Sequence, residues 1–158
     1  MFLTKRLLLR PYKESDLDSM VDSLSDYETQ LLASPGFHVP QGPKTKDWFR
    51  DKLDNVALFH IVIEEKATGD YVGWLYMVAK ETKNRDAVFA IVLSSTHQNK
   101  GYGKEIMDFV VDYAFKNLAL HRLSLSVFGN NPRAREVYLK AGFKEEARIR
   151  KGLWIDGE

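Results

Sequence analysis

Six stretches of the chain carry apolar residues at strand-like spacing, and four carry them at helical spacing. The opening "FLTKRLLLRPYKESD" holds an apolar run broken by Lys5, Arg6 and Arg10, and reads as a first strand. Ser15 with Asp18 has the spacing of a helix-capping box, followed by a stripe of Leu17, Met20, Val21 and Leu24. Between Ser34 and Lys46 lie three of the five prolines and two glycines, which predicts a surface loop. Thr45 is placed to cap a short helix through "KDWFRDKL". "ALFHIVIEE", "YVGWLYMVAK" and "DAVFAIVL" then predict two hairpin-linked strands and a third, nearly all-apolar strand buried on both faces.

After that third strand, "QNKGYGKE" opens a helix whose Ile106, Phe109, Val110, Tyr113 and Ala114 share one face, and "HRLSLSVF" predicts another strand. Strand, glycine loop, helix and strand make a βαβ unit, so its two strands are expected to be parallel. Asn131 precedes Pro132 as an N-cap, the helix runs through Ala141, and Gly142 stops it. "KEEARIRKGLWI" reads as a last strand. No repeat or linker interrupts residues 1–158, which are expected to form one α/β domain with a mixed sheet and helices on both faces.

Charge and composition narrow the chemistry. The formal net charge of +1 gives no basic field for nucleic acid, and the amino end is too short and too charged for a membrane span. Cysteine is absent, which excludes disulfides, thiolate metal sites and cysteine nucleophiles and suits the cytoplasm. The positive residues that matter must therefore act locally, and the glycine loop is where they gather. Open N–H groups and the helix dipole favour an anion at a helix start; Gly101 and Gly103 admit close approach, and Lys100 and Lys104 add charge. A plain connecting turn fits the same letters. A P-loop does not, because one residue separates the glycines and Glu105 replaces the hydroxyl. A dinucleotide fingerprint fails at Ile106.

The spacing Gln98-x-x-Gly101-x-Gly103 resembles the acyl-CoA pyrophosphate loop of the GNAT N-acetyltransferases. "HRLSLSVFGNNPRAREVYLKAGFKEE" is similar to the second half of that family, and the opening residues resemble its ribosomal-protein alanine N-acetyltransferase branch. The resemblance implies a GNAT fold: a mostly antiparallel sheet with a central splayed parallel pair, here Val88–Leu93 and Leu123–Phe128, and a final strand that this chain lacks. It implies acetyl-CoA as co-substrate. Backbone of Ile91, Val92 and Leu93 would hold the pantetheine arm; Gln98, Asn99, Lys100, Gly101, Tyr102, Gly103 and Lys104 would hold the pyrophosphate; Asn131 would contact the arm. No metal is implied.

The implied reaction is direct attack of a primary amine, on a peptide or a small molecule, on the thioester within a ternary complex. Tyr138 matches the family's proton donor to the leaving thiolate, although its place on the apolar stripe of Ala134, Val137 and Ala141 also suits a core tyrosine. The position where many relatives carry an acidic base is Val88, so Asp86, two residues earlier on the same strand face, is the candidate base. Phe37, His38, Trp74 and Tyr76 are candidates for the acceptor wall. An acyl-CoA-binding relative with weak or no turnover is the alternative that Val88 leaves open. An unpaired sheet edge would invite a homodimer.

Overall fold

Residues 57–93 supply the centre of the sheet in the computed structural model, which describes residues 1–155 and 157. The strands are β1 (Phe2–Leu3), β2 (Leu7–Arg10), β3 (Ala57–Glu65), β4 (Tyr71–Glu81), β5 (Asp86–Leu93) and β6 (Arg122–Ser124), ordered β1-β2-β3-β4-β5-β6. Every neighbouring pair is antiparallel except β5–β6, which is parallel. The helices are α1 (Asp16–Ser25), α2 (Tyr27–Ala33), α3 (Pro43–Asp51), α4 (Tyr102–Lys116) and α5 (Pro132–Lys140).

Period-two alternation divides the core between the two faces of the sheet. Ile61, Ile63, Leu75, Met77, Ala87 and Phe89 pack against Ile106, Met107 and Val110 of α4. Val62, Trp74 and Val92 point the other way, onto Leu17, Met20 and Phe49 of α1 and α3. Helices thus cover both faces, as the apolar stripes imply. Strand β5 is less enclosed than its letters suggest: Val88 is 37% exposed. The cause is β6, which pairs with β5 only at Asp86↔Arg122, Ala87↔Leu123 and Val88↔Ser124. Leu125–Phe128, expected to continue that strand, lie outside it.

Three local expectations give way to stronger interactions. Ser15 makes no capping bond. The Asp16 carboxylate instead accepts from the Lys13 N–H at 2.6 Å and from the buried Arg10 guanidinium at 2.7 and 2.8 Å, a charge-assisted arrangement stronger than a serine cap. Helix α3 starts at Pro43, not Thr45, because proline's fixed φ suits the first helical position; Thr45 Oγ1 donates to Gln41 at 2.9 Å. Residues 144–155 form no strand; ion pairs of Glu145 with Arg135 and Glu146 with Arg122 tether their start, and Ile149 and Trp154 remain exposed. Helix α2 is an element the sequence reading did not separate. Asp26 caps it by accepting from the Thr29 N–H at 2.9 Å.

The amino-terminal hairpin is fastened to α4 by one carboxylate. Glu105 accepts from Thr4 Oγ1 at 2.5 Å, from the Arg6 N–H at 2.7 Å and from Arg6 Nε at 2.8 Å. Burial works against its charge, but these bonds win and hold its pKa below the ordinary carboxylate value. A depressed folded-state pKa contributes stability above the unfolded value and loses it as pH falls through the folded one. Glu105→Gln is therefore expected to lower Tm at pH 7 and to flatten the fall in Tm below about pH 4.3. Parallel acid melts of both proteins check this; equal slopes would remove Glu105 from the account.

Candidate active site

The short β5–β6 pairing opens a cleft. Beyond Val88 the two chains separate, so Phe89–Leu93 have β4 on one side and no strand on the other among the described residues. Ile91, Val92 and Leu93 border this opening, where unpaired backbone N–H and C=O groups can bond to an extended amide-bearing arm.

The loop that follows is built to leave its amides free. Asn99 and Gly101 take left-handed φ values of 63° and 79°, and Gly101 is the N-cap of α4 with no side-chain capping bond. The first-turn N–H groups of a 15-residue helix therefore face outward uncapped, with the positive end of its dipole behind them. Gly103 sits in that turn, and a Cβ there would touch Val137 at an ordinary 3.8 Å.

Side chains of the loop mostly hold its shape. Gln98 Nε2 donates to the Leu93 carbonyl at 3.1 Å. From the first turn of α5, Arg133 donates to Gln98 Oε1 at 2.9 Å and to Asn99 Oδ1. Arg6 Nη1 donates to the Lys100 carbonyl at 2.9 Å, and its guanidinium lies 4.5 Å from the centre of the Tyr102 ring. Tyr102 is only 3% exposed and its hydroxyl donates to Glu65, so its side chain anchors the loop while its amide stays at the surface end. Lys104 is paired with Asp108 at 2.5 Å, which leaves Lys100 as the exposed lysine of the loop whose side chain has no partner among the described residues.

Arg133 is the residue that sequence reasoning undervalued. A place in the first turn of a helix suits a phosphate contact or a solvated charge equally; only the fold brings Arg133 to residues 34 and 35 positions earlier. Arg133→Ala is expected to weaken acetyl-CoA binding about tenfold, the scale of losing two solvent-exposed hydrogen bonds at about 0.5–1 kcal/mol each, with little change in Tm. Calorimetric titration checks it, and an unchanged Kd would show that the clamp is irrelevant.

Asn131 caps α5 by accepting from the Ala134 N–H at 3.1 Å, beside the mouth of the loop. Tyr138, on the same helix, is half-buried with Val137 and Ala141 against the α4-side core, 6.1 Å from the Phe143 ring. Its hydroxyl makes no hydrogen bond among the described residues, and burial pushes its pKa up, so it is a phenol rather than a phenolate at neutral pH.

Asp86 lies at the closed end of the parallel pair, two residues before the split. Its side chain is 13% exposed; Oδ2 is 3.9 Å from Arg122 Nε, and Oδ1 is buried without a partner. Asp86 thus lies on β5 at the paired end of the parallel strands, and Tyr138 lies on α5. On the sheet face that carries Val92, Trp74 is core, stacked on Tyr76 at 5.5 Å, whereas Phe37 in the loop is 93% exposed. The Lys52 ammonium sits 5.5 Å from the Tyr76 ring centre and 6.0 Å from that of Trp48. His60, nearby on β3, has its pKa lowered by burial against a smaller opposing pull from Asp54.

The profile of the acetyltransferase (GNAT) domain family matches residues 6–144. The chain belongs to that family. As a GNAT protein it is an N-acetyltransferase that uses acetyl-CoA. It is similar to spermidine N(1)-acetyltransferase of Vibrio cholerae, 30% identical over 68% of this chain and 66% of that protein, so this alignment spans just under two thirds of the relative. It is also 30% identical to the uncharacterized N-acetyltransferase YoaA of Bacillus subtilis, over 98% of this chain and 88% of the other. The crystal structure of spermidine N-acetyltransferase from Vibrio cholerae in complex with CoA and spermine superposes with a TM-score of 0.85, covering 96% of this chain and 89% of that one; at 23% identity it shows the shared fold. The opening residues' likeness to ribosomal-protein alanine N-acetyltransferases gives way here to spermidine N-acetyltransferases among the relatives found. No helix among the described residues is long and apolar enough to cross a membrane.

Proposed function

We propose that this GNAT protein acetylates a primary amine of a small aliphatic polyamine or a similar small amine. The observation that carries the acceptor class is the aromatic wall formed by Trp48 and Tyr76, whose ring faces already host one alkylammonium, that of Lys52. The names of the spermidine-acetylating relatives support the same class.

In this reading Ile91, Val92 and Leu93 align the pantetheine arm, Asn131 touches it, and residues 98–104 receive the pyrophosphate. A neutral amine nitrogen attacks the thioester carbonyl, forming the N–C bond as the C–S bond breaks. The nitrogen's proton passes to the Asp86 carboxylate, directly or through water, and the Tyr138 phenol protonates the departing thiolate. An aliphatic amine with a pKa near 10.4 is mostly protonated at pH 7, which makes a proton acceptor valuable. In this reading the Asp86 carboxylate, whose Oδ1 has no hydrogen-bond partner among the described residues, is that acceptor.

Thiol release from acetyl-CoA tests the acceptor. Spermidine is expected to show a kcat/KM at least about tenfold above that of a peptide with an amino-terminal alanine, since one well-placed cation–π contact is worth about 1–2 kcal/mol. A preference for the peptide would overturn the assignment, and acetyl-CoA binding without transfer to either amine would point to a cofactor-binding relative lacking turnover.

A further inference from the structure

We propose that Glu65, Asp70 and His97 form a binding site for a divalent transition-metal cation that clamps the cofactor loop to the β3–β4 turn. The site is separate from the acetyl-transfer chemistry and does not rest on the acceptor assignment.

The backbone brings the three residues together. Glu65 closes β3 and Asp70 precedes β4; the turn between them is fixed by Glu65 N–H to the Asp70 carbonyl at 2.9 Å and Gly69 N–H to the Glu65 carbonyl at 2.8 Å, with Gly69 at φ 77°. His97 ends the short helical turn Ser95–His97, directly before the loop, and the Ser94 N–H ties that turn to the Val72 carbonyl at 2.9 Å. One ligand atom from each of the three lies within 4.8 Å of the other two.

Their present bonding leaves that gap unfilled. His97 is 9% exposed, and its Nδ1 is engaged by Ser94 Oγ at 2.9 Å and Thr96 Oγ1 at 3.0 Å, so Nε2 is the nitrogen without a partner. Glu65 Oε1 accepts from the Tyr102 hydroxyl. These are the outer hydrogen bonds that orient metal-ligating histidines and carboxylates. Among the described residues no ion pair joins His97 to either acid, and no lysine or arginine pairs with Glu65 or Asp70. Two basic side chains of this region are spent elsewhere: Lys66 Nζ donates to the Thr4 and Lys5 carbonyls, and Arg6 is bound to Glu105. Two carboxylates and an imidazole therefore meet without a compensating cation.

The donor set selects the ion. Tetrahedral coordination at about 2.0–2.2 Å places ligand atoms roughly 3.3–3.6 Å apart, so atoms at the 4.8 Å limit close by about 1.2–1.5 Å to complete the site. One imidazole with two carboxylates suits Zn²⁺ or Mn²⁺, whereas Mg²⁺ and Ca²⁺ prefer an all-oxygen shell. Since Tyr102 bonds to Glu65 and stacks 6.4 Å from His97, the ion would pin both ends of the glycine loop.

The test is calorimetric titration of chelator-treated, untagged protein with ZnCl₂, alongside Asp70→Asn, His97→Gln and a MgCl₂ control. Asp70 is exposed, so its isosteric variant leaves the fold intact. One Zn²⁺ per chain, bound at least about tenfold more weakly by both variants and with no comparable Mg²⁺ binding, is the expected result. Absence of saturable Zn²⁺ binding, or equal affinity in wild type and Asp70→Asn, would overturn the site.

Discussion

Tyr138→Phe is expected to lower kcat by about 10²-fold, the lower end of what a positioned general acid supplies, while the KM for acetyl-CoA stays nearly unchanged. The hydroxyl is the group removed, and it makes no hydrogen bond within the protein's described residues, so its loss orphans no partner and Tm should hold. That separation distinguishes a proton donor from a packing tyrosine, whose loss of oxygen would leave kcat alone. Burial raises the phenol's pKa above its ordinary value of about 10, so the wild-type donor stays protonated through neutral pH and the alkaline fall in kcat begins only above that value. A pH–rate profile measures this limb. A variant with wild-type kcat would return Tyr138 to the core.

Gly73→Ala is expected to be the most damaging single methyl in the sheet. Gly73 pairs with Leu93 across β4–β5, and a Cβ there would stand 2.2 Å from the Val92 carbonyl oxygen and 3.0 Å from the Leu93 Cα. Both are backbone atoms of the strand bordering the cofactor cleft, so relief cannot come from rotating a side chain. Overpacking of this kind costs about 3 kcal/mol at its upper end, which corresponds to a Tm lower by roughly 6–12 °C for a chain of this size. Thermal melts check the stability, and titration with acetyl-CoA on the folded fraction should show weakened binding because Val92 and Leu93 are displaced. A melt within 2 °C of wild type, taken as about the resolution of one small ΔΔG, would mean that the strands part there without cost.

Local signals made much of the fold legible. "ALFHIVIEE" and "DAVFAIVL" became β3 and β5 with the bounds their letters suggest, and the Asn131-Pro132 start and Gly142 stop of α5 were as written. What escaped was set by partners that no local motif names. Ser15 lost its capping role because Arg10 and Lys13 bind the neighbouring Asp16, and β6 stops at Ser124 because its chain leaves β5 to open the cleft. The segment 144–155 alternates well enough for a strand but finds no neighbour to pair with among the described residues.

The site was legible to a different degree at each position. Gln98, Gly101 and Gly103 announce themselves by spacing, and the left-handed Gly101 is where that spacing becomes geometry. Arg133, Arg6 and Glu105 carry no local motif, because each acts on residues far along the chain. Tyr138 was placed by family pattern and Asp86 by strand alternation from Val88, and their surroundings, an orphaned carboxylate oxygen and a half-buried phenol without a hydrogen bond among the described residues, are properties only the folded chain has.

The most direct test of the cofactor cleft is to titrate the protein with acetyl-CoA and with S-acetyl-pantetheine, which keeps the thioester and arm but lacks the pyrophosphate and nucleotide. If the uncapped turn at Gly101 holds the pyrophosphate, acetyl-CoA binds at one per chain and at least about 10²-fold more tightly, the value of two charge-assisted hydrogen bonds at about 1.5 kcal/mol each. Equal affinity for the two ligands would contradict the account and leave "QNKGYGKE" as a connecting turn.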